Sequence, residues 1–182
     1  MKNLILTFVV FLLADSARAQ TGAGPANSTA VFPGVFLGKW KGALQWIVAG
    51  RPTQTFTMQL SILPADTAGQ FTWQMMYGED GKDSRPYLLK PVDTSRGHWL
   101  IDERDGILLD SYVFDSSLQG AFTVMGNTIV DHYRVEGDKM LVEFFTIKLD
   151  DKKTSGKGTA ETPLVHSYRM SGYQRGVLQK QH

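Results

Sequence analysis

The feature that most constrains this chain is an alternation of apolar and polar side chains that recurs along most of its length. Residues 55–62 (TFTMQLSI) and 71–77 (FTWQMMY) place an apolar or aromatic side chain at every second position. Successive side chains of a β-strand point to opposite faces, so this pattern predicts strands with one buried face. No window of a dozen residues has a convincing apolar stripe at helical spacing, and the pattern therefore predicts an all-β chain.

Further strand-like runs cover residues 37–48, 87–92, 98–102, 107–114, 121–125, 128–135, 140–148 and 165–173. Asp105-Gly106, Gly126-Asn127 and Gly137-Asp138 separate neighbouring runs, as tight hairpin turns require. Strands joined in this way form a meander, and a meander of this size would expose two damaging edges unless the sheet closed on itself. We therefore predict one closed antiparallel up-and-down β-barrel of about eight to ten strands with little helix. A two-sheet sandwich is the alternative.

The start of the chain has the pattern of an export signal rather than of a barrel. A basic Met1-Lys2-Asn3 precedes an apolar run over 4–14, and Ala17-Arg18-Ala19 offers the small-x-small pattern that signal peptidase reads. The run is shorter than the roughly 20 residues of a transmembrane anchor, so we expect no such anchor. We expect a signal peptide over 1–19, a flexible leader over 20–34 and a β-barrel domain over 35–182. The protein would then be exported, to the periplasm or the extracellular space according to its host.

Composition excludes several classes of function. The 182 residues carry 19 Lys and Arg against 18 Asp and Glu, so the formal net charge of +1 provides no basic field for a nucleic acid. The absence of cysteine excludes disulfides, thiol catalysis and zinc–thiolate sites. Nothing in the sequence matches a phosphate loop, a nucleophile elbow or a metalloprotease helix.

Gly38-Lys39-Trp40 opens the first predicted strand, and here the sequence resembles the lipocalins and the wider calycin group. The resemblance covers the mature chain in architecture and only a few residues in motif. It implies that Trp40 closes the barrel floor and that Arg169 or Arg175, from the last strand, packs across the indole. It also implies a small, largely apolar molecule bound inside the barrel. The helical lid of fatty-acid-binding proteins has no counterpart, because only residues 49–54 join the first two strands.

We expect an apolar or amphipathic ligand to be bound by large aromatic side chains and a few polar groups on the predicted strands. The aromatic candidates are Tyr87, Trp99, Tyr112, Phe122 and Tyr133, and the polar candidates are His132, Arg134 and Glu143. Because the register of the strands is unknown, a core filled by the same residues is the alternative. Binding is favoured over catalysis. The other functions left open are a calycin-type isomerase, decarboxylase or chromophore lyase, and an exported interaction domain.

The direction of Glu143 is open at this point. It shares a strand face with Leu141 and Phe145, whereas Val142 and Phe144 occupy the other face. An inward Glu143 would be a desolvated carboxylate able to bind a ligand head group or to act as a general acid–base.

The histidines are the candidate ligands for a metal or a haem. His98, His132 and His166 fall in three different strands, and their convergence inside the barrel would allow zinc or haem iron to bind. For His132, the alternation of polar and apolar residues instead favours an outward direction, because its strand face is the more polar one. No cofactor is assigned. The polar stretch 150–162 is expected to be a solvated loop or a flap at the barrel mouth.

Overall fold

The computed structural model describes residues 32–79 and 81–182, which form ten antiparallel strands closed into one barrel. The strands are β1 (Gly38–Ile47), β2 (Gln54–Ile62), β3 (Phe71–Tyr77), β4 (Asp83–Asp93), β5 (His98–Asp102), β6 (Leu108–Phe114), β7 (Ser117–Val124), β8 (Asn127–Glu136), β9 (Lys139–Ser155) and β10 (Val165–Gln181). Each strand pairs with its neighbours in the chain, and β1 pairs with β10. The predicted all-β, up-and-down closed barrel is confirmed, and the sandwich alternative is wrong.

Helical structure in the described residues is confined to two short 3-10 turns, at Gly34–Phe36 and Thr94–Arg96. The barrel interior follows the alternation seen in the sequence. Met58, Leu60 and Ile62 of β2 are buried, and so are Trp73 and Met75 of β3. Burial of one face of every strand is the main stabilising contribution to such a sheet, at about 25 cal/mol per Å² of apolar surface.

One end of the barrel is closed by aromatic packing around Trp40. The indole Nε1 of Trp40 donates to the carbonyl of Phe36 at 2.8 Å, and both side chains are buried. Phe32 packs edge-on against Phe36 and Trp99, with ring centroids 4.9 and 5.0 Å apart. The end of the expected leader, from Phe32 to Gly34, therefore belongs to this plug. The expected signal peptide lies outside the described residues.

The cation over the Trp40 ring is Lys180, whose Nζ lies 5.2 Å from the ring centroid. The expectation of an arginine at this place is wrong. Arg169 is paired with Asp151, and the Nε of Arg175 donates to Gln45. Lys180 is directly opposite Trp40 in the register of β1 and β10, whereas Arg175 is five residues away and therefore on the outer face.

Beyond the barrel wall, β9 and β10 continue as a two-stranded ribbon in which all residues from 149 to 170 are exposed. The cross-strand pairs run from Tyr168 with Lys152 to Val165 with Ser155. The loop expected over 150–162 is therefore partly strand, and the connection covers only 156–164. Backbone hydrogen bonds form this ribbon without burying a side-chain face, so its sequence carries no alternation to predict it.

We expect Trp40→Ala to destabilise the protein by about 3–5 kcal/mol, because it removes a buried aromatic side chain and leaves the Phe36 carbonyl without its donor. Trp46→Ala is the matched control, since Trp46 lies on the same strand but is substantially exposed; about 1 kcal/mol or less is expected there. Urea unfolding followed by circular dichroism measures both. Equal losses for the two variants would contradict the assignment of Trp40 as the closing residue.

Candidate functional site

A cavity of about 150 Å³ lies inside the barrel, toward the end away from Trp40. Its lining residue Gln174 pairs with Trp46, six positions along β1 from Trp40. The aromatic part of the lining comprises Trp73, Tyr77, Tyr87, Phe122, Tyr133 and Phe144, and the charged part comprises Arg85, Glu103 and Asp131. The cavity therefore has aromatic walls with a small number of polar groups, as small-molecule sites usually have.

The aromatic walls are packed against one another in edge-to-face geometry. Tyr133 is edge-on to Trp73 with ring centroids 5.0 Å apart, and to Phe144 at 5.7 Å. The hydroxyl of Tyr133 is directed to the sulfur of Met75 at 3.8 Å. These contacts fix the orientation of the rings, so the cavity is largely preformed.

Two buried polar atoms of the lining residues have no hydrogen-bond partner. They are the indole Nε1 of Trp73, a donor, and the Oδ1 of Asp131, an acceptor. An unsatisfied buried polar group costs about 1–3 kcal/mol, so such atoms are rare unless a ligand or water completes them. Both atoms belong to residues that line the aromatic cavity, so one donor and one acceptor of its lining have no partner in the described part of the chain.

Asp131 lies on the inward face of β8, and its side chain is only 6% exposed. Gly120 is its direct partner on β7, where a Cβ would lie 2.5 Å from Asp131 Oδ1. The glycine therefore provides the space that the carboxylate occupies. Burial raises the pKa of Asp131 to about 6, and hydrogen bonds from the backbone amides of Gly120 and Asp131 act against that shift.

Arg85 and Tyr77 form the mouth of the cavity. The guanidinium of Arg85 lies 4.8 Å from the ring centroid of Tyr77 and donates to both carboxylate oxygens of Asp83, at 2.9 and 3.1 Å. Burial raises the pKa of Tyr77 to about 12. Burial also raises the pKa of Tyr87, with Glu103 acting in the same direction. The mouth thus contains a guanidinium whose charge is already paired, beside phenols that stay neutral at ordinary pH.

The structure divides the predicted binding residues between the two faces of the barrel. Tyr87, Phe122 and Tyr133 line the cavity. Trp99 is inside as well, but it packs in the plug at the closed end. The remaining candidates, Tyr112, His132, Arg134 and Glu143, are on the outer face because their strand neighbours point inward. Their assignment to the ligand site is not supported by their position.

Glu143 is the centre of a hydrogen-bond chain on that outer face. It accepts from the Tyr173 hydroxyl and contacts His132 Nδ1 at 3.2 Å, while His132 Nε2 lies 3.1 Å from Ser117 Oγ. The bond from Tyr173, and then the one from His132, lowers the pKa of Glu143. Ser117 is itself buried, with 7% of its surface exposed. The chain therefore clamps β7, β8, β9 and β10 together, and the inward alternative for Glu143 is wrong.

The hypothesis that His98, His132 and His166 converge inside the barrel is also wrong. His98 stacks on Tyr112 with centroids 4.7 Å apart, and His166 lies on the exposed ribbon, where its Nδ1 is 2.9 Å from Thr154 Oγ1. His132 belongs to the outer-face chain around Glu143. Within the described part of the sequence, no three His, Asp or Glu side chains are arranged to hold a metal ion.

The buried cavity residue that the sequence analysis does not single out is Asp131. The sequence does contain a pattern that indicates burial of Asp131, because this residue shares a strand face with Ile129, Tyr133 and Val135. A carboxylate among apolar residues on one face of a strand is the pattern of a buried polar group. No comparable pattern marks Trp73 or Arg85 as a cavity residue, because each is a common type of residue in a β-strand.

No protein-family model and no curated protein matches the sequence. Among solved structures, a protein of unknown function from the DUF3598 family of Nostoc punctiforme superposes with a TM-score of 0.59 at 12% identity. The match covers 81% of this chain and 48% of that chain, so this chain spans about half the length of its structural neighbour. Rv2717c from M. tuberculosis matches at 14% identity and a TM-score of 0.33, over 81% of this chain and 94% of that one. The first similarity supports the barrel fold alone, and the second is too low to support an argument.

Within residues 32–79 and 81–182, no helix has the length and apolarity needed to cross a membrane.

We expect the unliganded protein to lose up to about 3 kcal/mol of stability as the pH rises from about 4 to about 7. Burial raises the pKa of Asp131 from its ordinary value of 3.8 to about 6 in the folded protein. The folded state therefore holds its proton more tightly, and that stabilisation is lost as the pH rises through the folded pKa. Chemical denaturation across this pH range measures the effect.

Asp131→Asn should flatten this part of the pH profile, because the amide does not titrate. Asp66→Asn, at an exposed position between β2 and β3, is the matched control and should keep the slope of the parent protein. A D131N profile that still falls as steeply as the parent's would show that another group is responsible.

Proposed function

We propose that this protein binds a small amphipathic molecule inside its barrel. The observation that supports the proposal is the pair of unpartnered buried atoms, Trp73 Nε1 and Asp131 Oδ1, in a cavity with aromatic walls. A bound molecule with one acceptor and one donor would satisfy both atoms. Its apolar body would gain about 25 cal/mol for each Å² of surface removed from water, before the cost of ordering.

The volume of the cavity limits the size of the ligand. An apolar protein cavity of about 150 Å³ is large enough for benzene, and the cavity here has about the same volume. A molecule with one ring and one or two polar substituents is therefore the size that fits. A long-chain fatty acid would exceed this space.

We further propose that the protein is an exported, lipocalin- or calycin-like binding barrel. Support for the relationship comes from Gly38-Lys39-Trp40 at the start of β1, with the tryptophan in the plug of the closed end. Support for export comes from the signal-like pattern over 1–19.

Native mass spectrometry of the protein purified from its own host tests the binding proposal. We expect an additional mass of roughly one to two hundred daltons, the mass of a one-ring molecule, that disappears on denaturation. If the native mass equals the denatured mass and no compound of this size stabilises the protein in a thermal-shift screen, the proposal is wrong.

Filling the cavity gives an independent test. Ile129 lines the cavity, and Ile129→Phe should occupy part of the space and reduce ligand affinity at least about tenfold by steric exclusion. Val177→Phe adds the same kind of side chain at an exposed position on β10 and should leave the affinity unchanged. Undiminished binding by I129F would place the ligand outside this cavity.

A further inference from the structure

We propose that the ligand of this cavity is a compact organic cation, whose N–H groups donate to the carboxylate of Asp131 while its body contacts the aromatic walls. The inference rests on the proposed function and names the class of molecule that the site takes. It excludes the anionic ligands and the wholly apolar ligands of the same size.

The balance of charge in the cavity supports a cation. Asp131 and Glu103 line the cavity, and Arg85 is the positively charged side chain of that lining. Arg85 is bound through two nitrogens by Asp83 at the mouth, so its charge is already compensated. An anionic ligand would meet two carboxylates and a guanidinium that has a partner, whereas a cation would meet an excess of negative charge.

The burial of Asp131 without a countercharge also supports a cationic ligand. The backbone amides of Gly120 and Asp131 donate to this carboxylate, but its Oδ1 has no hydrogen-bond donor in the described structure. Neutral amides supply no countercharge to a carboxylate removed from water. A bound ammonium or similar cation would supply both the missing donor and the missing countercharge. A neutral ligand would supply at most the donor, and an anion would supply neither.

The aromatic walls are suited to a cation as well. Negative charge on the faces of Trp and Tyr rings attracts cations, and the attraction increases when water is excluded. The mouth already contains one such contact, between the Arg85 guanidinium and the Tyr77 ring at 4.8 Å. Tyr87, Phe122 and Phe144 add further aromatic side chains to the cavity lining, and each of them is only partly buried.

The affinity for a cation should depend on pH through Asp131. The titratable and charged groups that surround it in the cavity are Tyr77 on β3, Arg85 and Tyr87 on β4, Glu103 after β5 and Tyr133 on β8. His132 acts on it from the opposite face of β8 and lowers its pKa slightly. The phenols stay neutral and Arg85 stays charged near neutrality, so protonation of Asp131 is the event that removes the charge next to the ligand.

Isothermal titration of the full protein with benzylamine, benzyl alcohol and benzoate tests the inference, because the three probes share one ring and differ mainly in charge. At about pH 7.5 we expect benzylamine to bind at least about tenfold more tightly than benzyl alcohol, and benzoate to bind most weakly. At about pH 5 the preference for benzylamine should fall several-fold as Asp131 takes up a proton.

Asp131→Asn should reduce benzylamine affinity at least about tenfold while changing benzyl alcohol affinity less than about threefold. Asp66→Asn is the matched control, since it removes one carboxylate from an exposed position between β2 and β3 and should leave both affinities unchanged. If benzyl alcohol or benzoate binds as tightly as benzylamine, or if D131N keeps the preference, the cation inference is wrong and the binding proposal stands. If none of the probes binds and the native protein carries no extra mass, both are wrong.

Discussion

The pairing of β1 with β10 is the constraint on which the rest of the structure depends. It runs from Lys39 opposite Gln181 to Ile47 opposite Tyr173 and joins the first strand to the last. An open sheet has two faces and two edges, whereas a closed one has an inside and an outside. Once closure is made, every residue of the barrel wall is assigned to the interior or to the surface by its position along its strand.

This assignment separates two carboxylates that look similar in the sequence. Asp131 faces inward and has an oxygen without a donor, so its pKa is raised to about 6. Glu143 faces outward and accepts from Tyr173 and His132, so its pKa is lowered. Burial destabilises the charged form of Asp131. Glu143, in contrast, is part of a hydrogen-bond chain that links β7, β8, β9 and β10. The difference in chemistry comes from the direction of the side chain rather than from its type.

The two ends of the barrel differ in how their aromatic side chains pack. At the closed end, Phe32, Phe36 and Trp99 pack around Trp40 and leave its indole satisfied. Toward the open end the aromatic side chains continue, but they enclose space, and the indole of Trp73 is left without a partner. Aromatic composition alone does not distinguish a filled core from a binding site. The distinction depends on whether opposing walls meet.

The sequence by itself determined the class of fold, because alternation and hairpin turns act locally and any chain with this pattern must bury one face of each strand. It also determined the chemistry available to the interior, including the aromatic residues and the face that carries Asp131, Tyr133 and Val135. The tertiary structure decided which residues meet. Lys180 rather than an arginine covers Trp40, and Gly120 gives Asp131 its space, since both depend on register between strands that the sequence does not encode locally. The size of the cavity was likewise decided by closure, because it depends on the distance between opposite walls.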